Sequence, residues 1–257
     1  MDYLLVCVVS LGASALTFFS GFGLGTLLLP VFVLFFPPGI AVAMTAVVHL
    51  VNNLGKFLLI GRHADWGVAV RFGAPALVFA FAGAWALVAF SRMQPWFVYS
   101  IGAREYEITP LKIVLAALMV LFAIIELLPR SGKLLFDRRY LPVGGALSGF
   151  FGGLTGHQGA LRSAFLLTYG LSKERFIATG VVIACVVDLV RITVYGSQFW
   201  RELAGAEKEL LGAAVVCALA GAIVGRQLLT KITLRAIQIT VGVMLCLIAV
   251  GLGTGLI

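Results

Sequence analysis

The chain has 257 residues, of which 61% are hydrophobic and only 12% charged, and its mean hydropathy is +1.08. An ordinary soluble domain carries about 25% charged residues, so a water-soluble fold would have no way to hide this much apolar surface, whereas a bilayer does. The net charge of +8 does not point to nucleic acid, because Lys and Arg stand singly or in pairs at the ends of apolar segments, as in membrane proteins that orient by charge, and not in runs with interleaved aromatics.

In chain order, the first twenty residues carry Asp2 as their only charge and lack the basic start of a secretory signal, so a retained membrane segment is expected from Met1 onward. Leu4 to Phe36 is apolar throughout but broken at Gly21-Phe22-Gly23-Leu24-Gly25, and the piece after the break, Thr26 to Phe36, would span only about 17 Å as a helix. Three segments of ordinary spanning length follow: Ile40 to Ile60, Val68 to Phe90 and Leu111 to Leu128. The plan then recurs. Leu141 to Gly170 is interrupted at Gly152-Gly153-Leu154-Thr155-Gly156-His157-Gln158-Gly159, with Ala160 to Tyr169 as a second short piece. Phe176 to Val194, Leu210 to Leu229 and Ile232 to Leu252 follow it. Each interruption reads either as a kinked helix packed through small residues such as Gly21/Gly25 and Gly149/Gly153, or as a re-entrant hairpin. The matching position in both halves favours the hairpin. A shift of about 134 residues lays Gly25 on Gly159 and Met44-Thr45 on Ala178-Thr179, and one residue of slip lays Asn53 and Lys56 on Asp188 and Arg191.

Charge sets the relative orientation. With two hairpins, Arg62, Arg71, Arg130, Lys133, Arg138, Arg139, Lys173, Arg175, Arg226, Lys231 and Arg235 fall on one face. The mixed loops around Glu105/Glu107 and Glu202/Glu207/Glu209 fall on the other. The expected fold is therefore an all-α polytopic membrane protein of two inverted repeats, 1–130 and 131–257. Each repeat is a broken re-entrant hairpin plus three transmembrane helices, and both termini face away from the cytoplasm. Cys7, Cys185, Cys217 and Cys246 lie in apolar runs without metal-ligand spacing and read as structural thiols.

An ionisable group at mid-span costs about 2.5–3.5 kcal/mol, which draws attention to those present. His49, Asn52, Asn53 and Lys56 are spaced i, i+3, i+4, i+7 and form one polar stripe. It serves either interhelical hydrogen bonding, with Lys56 reaching for the interface, or a solute path. Asp188 and Arg191, at i, i+3, suit a structural ion pair or a gated one, and Glu126 reads as interfacial. The second break gathers Thr155, His157, Gln158, Arg162 and Ser163 ahead of a half-helix starting near Gly159, and a buried helix N-terminus attracts anions. Gly25 and Thr26 offer the same backbone at the first break. No HExxH occurs. Ala146-Leu147-Ser148-Gly149 is one residue short of an intramembrane-protease GxSG and reads as helix packing, and no GxG follows a strand.

The stretches Gly21 to Gly25 with Pro30, Thr45 through Asn52-Asn53-Leu54-Gly55-Lys56, Gly61-Arg62-His63-Ala64-Asp65-Trp66 and Gly149 to Gly159 carry a resemblance over essentially the whole chain. In them the sequence resembles the sulfite exporter TauE/SafE family. The resemblance implies a permease for sulfite, sulfoacetate or other organosulfonates, mostly outward. The expectation is a secondary transporter of a sulfur-containing oxyanion in a bacterial inner membrane, working by alternating access. Asn52, Asn53, His157, Gln158 and the backbone at Gly25, Thr26 and Gly159 would donate hydrogen bonds. Lys56, Arg162 and Arg191 would supply charge, and His49, His157 or Asp188 a coupling proton. Uptake of the same anions, a passive anion channel, or a membrane scaffold are the alternatives. The expected partners are a small anionic solute and the lipid bilayer, with no nucleic acid, no cofactor, no metal and no catalytic residue; a homo-oligomer is left open.

Overall fold

The computed structural model describes residues 2–20, 23–127, 137–205, 208–228 and 234–257. Gly21, Phe22, Arg130, Lys133, Glu207 and Lys231, and the side chains of Glu126, Glu202, Arg226 and Arg235, lie outside the described residues.

The apolar segments fold as ten α-helices among the described residues: α1 (Asp2–Ser20), α2 (Leu24–Val33), α3 (Pro38–Ile60), α4 (Trp66–Ser91), α5 (Pro110–Leu127), α6 (Leu141–Thr155), α7 (Gly159–Leu166), α8 (Lys173–Gly205), α9 (Lys208–Leu228) and α10 (Leu234–Gly253). Within the described residues, all six expected full-length segments are helical. Four stretches, Pro38–His63, Trp66–Ser91, Lys173–Phe199 and Lys208–Gly225, are long and apolar enough to cross a membrane. The protein is an all-α polytopic membrane protein apart from one hairpin. Where the sequence suggested a mixed-charge loop, β1 (Phe97–Ile101) and β2 (Arg104–Ile108) pair antiparallel around a two-residue turn, Gly102-Ala103. Gly102 adopts φ +64°, the positive angle such a turn requires.

Both interruptions are real breaks, and the second is narrower than its glycines suggested. Helix α6 runs through Gly152 and Gly153 and ends at Thr155, with Gly156 left-handed at φ +84° as its C-cap. The short arms are α2, ten residues or about 15 Å, and α7, eight residues or about 12 Å. Their partners α1 and α6 are longer, 19 and 15 residues, so each broken segment pairs a long arm with a short one.

The glycines reveal how the helices pack. Gly145, Gly149 and Gly153 of α6 press bare backbone onto the carbonyls of Phe72, Ala76 and Ala80 of α4, turn by turn, so α4 and α6 run parallel. Gly221 and Gly225 of α9 lie in the same way on Leu11 and Ala15 of α1. Helices α3 and α8 instead run antiparallel. Gly39 at the start of α3 faces Phe199, while past its end the Asp65 amide donates to Thr179 and the Asp65 carboxylate pairs with Arg175 at 2.8 Å. Helices α5 and α10 are also antiparallel, Leu127 meeting Gly242 and Ala116 meeting Gly253. This arrangement places Arg62, Arg71, Arg138, Arg139, Lys173 and Arg175 toward one end of the bundle, and the hairpin with Glu105 and Glu107 at the other.

Small-residue packing and chain interruption thus coexist, and Gly149/Gly153 serve the former. A Cβ at Gly149 would sit on the Ala76 carbonyl, so Gly149→Val must push α6 off α4. Its melting temperature in detergent should fall by several degrees. Gly12→Ala and Gly212→Ala, which meet nothing within 4 Å, should melt as the wild type does.

Candidate functional site

Asp188 on α8 is fully buried, and donors from three elements converge on it. Oδ2 lies 2.6 Å from His49 Nδ1 and accepts from Asn53 Nδ2 at 3.2 Å, both from α3. Oδ1 accepts from Gln158 Nε2 at 3.2 Å, just before α7, and from Arg191 Nε at 3.0 Å, one turn along α8. Arg191 Nη2 is a further ion contact to Oδ1 at 2.9 Å, though its angle is not that of a hydrogen bond. Arg191 therefore pairs within its own helix, while the carboxylate also ties α8 to α3. The helical spacing of the stripe brings this about, since His49 and Asn53 are one turn apart and reach the same oxygen.

Around this carboxylate the charges do not balance. Lys56, Arg162, Asp188 and Arg191 are all buried, at 4%, 9%, 0% and 0% exposure, which makes three cations to one carboxylate among the described residues. Lys56 does not reach for an interface. With the Asn52 amide oriented to satisfy its neighbours, that side chain donates to Ser14 Oγ at 2.7 Å and to the Ala218 carbonyl at 3.2 Å, and accepts from Lys56 Nζ at 3.2 Å. Arg162 donates to Gln158 Oε1 at 3.4 Å. It fits because Gly180 faces it, where a Cβ would stand 3.3 Å from Nε.

Lys56 and Arg162 border a cavity of about 40 Å³, with His49, Asn53, Ser163 and Thr17 as its other polar walls and Leu24, Leu166, Phe176 and Ile177 among its apolar ones. It lies toward the end of the bundle that holds Asp65 and Arg175. At the opposite end a vestibule of about 790 Å³ is bordered by Arg92, Glu107, Lys112, Gln198 and Phe199. Between the two stand α2, buried along its whole length, and Tyr195, whose hydroxyl donates to the Gly153 carbonyl.

The ten residues expected to bind solute therefore do not share one cavity. Asn53, Lys56 and Arg162 border it, as does His49. Asn52 supports Lys56 from behind, and Gln158 bridges Asp188 and Arg162. Arg191 sits on the far side of Asp188, its Nη1 occupying the place a Cβ on Gly156 would take. His157 bonds Thr155 Oγ1 at 2.9 Å and stacks on Phe122 of α5 at 4.9 Å. The two breaks do meet: a Cβ on Gly23 would lie 3.7 Å from the Gly159 nitrogen, and one on Gly25 would lie 3.3 Å from the Gly156 carbonyl oxygen. What Gly25 faces is thus an acceptor, and the Thr26 amide is spent on the Gly23 carbonyl at 3.0 Å. Thr17 and Gly180 were not expected at the cavity. The one signal for Gly180 was a glycine within an apolar span.

Among curated proteins, no match to the chain is found. The family model for the sulfite exporters TauE/SafE, a family of membrane transporters, matches residues 6–252, and on that near-complete span the chain belongs to the sulfite exporter TauE/SafE family.

Proposed function

We propose that the protein is a secondary transporter that exports a small sulfur oxyanion of sulfite size across a bacterial inner membrane. The observation that carries this reading is the excess of buried positive charge, Lys56 and Arg162 on one cavity against a single carboxylate already saturated by other donors. Two buried cations bordering one small cavity focus a positive field there, which favours an anion between the ammonium and the guanidinium. A cavity of about 40 Å³ admits roughly three waters at 10–15 Å³ each, which favours a compact inorganic oxyanion over a bulkier organosulfonate.

Alternating access between inverted halves, 1–130 and 131–257, fits the helix directions. The corresponding helices α3 and α8 cross antiparallel, as do α5 and α10, while α1 lies on α9 just as α6 lies on α4. Asn53, which overlays Asp188 in the repeat, also bonds it, as equivalent positions do near an axis of exchange. The arginine-rich end would face the cytoplasm, so single cysteines at Arg139 and Glu105 should label from opposite sides, the former only from the cytoplasm. Purified protein in liposomes, offered sulfite, sulfate, thiosulfate, sulfoacetate and chloride, tests the substrate. Sulfite should move fastest, and transport of chloride alone, or of none of the five, would overturn the reading.

A further inference from the structure

The position of His49 has a use beyond holding Asp188. Its Nδ1 is committed to the carboxylate at 2.6 Å, which makes Nε2 the ring nitrogen left for the cavity that His49 borders with Lys56 and Arg162. We propose that Nε2 of His49 exchanges a proton with the oxyanion bound between Lys56 and Arg162, so that anion and proton occupy the site together, with Asp188 as the positioning residue. This rests on the oxyanion reading above.

The step balances within the site. The proton leaves an oxyanion hydroxyl, or bulk water when the anion arrives fully ionised, and binds the Nε2 lone pair; no bond other than that O–H is broken. The imidazolium so formed is stabilised by Asp188, and the anion, one charge more negative where it gave up the proton and unchanged where water supplied it, faces the two cations. The groups that act on His49 are Asp188 and Arg191 from α8 and Arg162 from α7; Cys185 lies beside Asp188, and Lys56 of the same helix as His49 borders the same cavity. Helix α2 has no titratable side chain. Arg71 of α4 is exposed, Lys112 of α5 borders the distant vestibule, Lys208 and Glu209 open α9 in its first turn, and Cys217 of α9 is beside Cys7. His157 does not compete for the role, because it is buried against Phe122 and does not border the cavity.

The test is calorimetry of the full-length protein in detergent, titrated with sulfite at mildly alkaline pH in two buffers of different ionisation heat. Sulfite is then mostly dianionic in solution, and wild-type binding should draw about one proton per anion from the buffer, as linkage requires of a site that gains a proton with its ligand. His49→Gln, which keeps an amide donor near Asp188 but has no basic nitrogen, should bind sulfite with no proton taken up, and its sulfite flux in liposomes should carry no proton with it. Wild-type binding without proton uptake, or uptake unchanged in His49→Gln, overturns this proposal and leaves the oxyanion reading standing. No sulfite binding by the wild type brings down the oxyanion reading itself and this proposal with it. Should His49→Gln fail to fold, His49→Asn carries the same comparison.

Discussion

Arg162→Ala should reduce sulfite transport in liposomes by about tenfold to a hundredfold, and Lys56→Ala by a similar factor, with both proteins still folded and monodisperse. Each change removes one charge-assisted contact to the anion, worth roughly 1.5–3 kcal/mol, and every 1.4 kcal/mol is about a factor of ten in affinity. The Asp188 carboxylate is held by His49, Asn53, Gln158 and Arg191, so the central network keeps these four contacts in both variants. The Arg162 guanidinium gives up one 3.4 Å bond to Gln158, and Gln158 remains held by the Ser148 hydroxyl on its carbonyl and by Asp188 on its amide. Arg162→Lys should recover part of the loss, because the charge returns without the planar fork. If both alanine variants transport at the wild-type rate, the two cations belong to the packing of the bundle and the anion must bind elsewhere.

Much of this arrangement was legible in the sequence, for reasons that can be named. Polar residues one turn apart in an apolar helix must share a face, so His49, Asn53 and Lys56 were readable as a stripe, and two of them do meet Asp188. Short apolar pieces after Gly25 and Gly159 were readable as half-helices because no full span could fit there. What a single sequence does not encode is which polar residue looks inward once the helices have packed. Arg191 and Arg162 are alike on paper, yet Arg191 closes on Asp188 within its own helix while Arg162 reaches the cavity, because Gly180 on the facing helix leaves room for it. Backbone donors at a helix start also look available in a sequence. At Thr26 the donor is not, since a local turn uses it, and the side of Gly25 where a Cβ would stand faces the Gly156 carbonyl. The hairpin at Phe97–Ile108 had its signals, alternating Tyr, Ile and Val around Gly102, but they were masked by an acidic composition that reads as loop.

Asp188→Ala should be the most damaging single change to folding. Its carboxylate is the sole acidic group in the central network among the described residues, and it accepts from Asn53, Gln158 and Arg191 besides facing His49. Without it Arg191, fully buried, loses its counter-charge, and breaking a buried pair from one side costs about 3–5 kcal/mol. Asp188→Asn fills the space but keeps the charge unpaired, and its amide nitrogen would have to face donors. The double variant Asp188→Asn/Arg191→Gln removes both charges at once, and exchanging a buried pair for neutral groups costs far less than orphaning one member. It should therefore melt at a higher temperature than Asp188→Asn alone, while transport stays impaired because His49 no longer has a carboxylate to hold it. Thermal unfolding of the three variants in detergent decides the point. A double variant no more stable than the single one would mean that Arg191 finds its counter-charge elsewhere, and that Asp188 acts on the cavity side of the network alone.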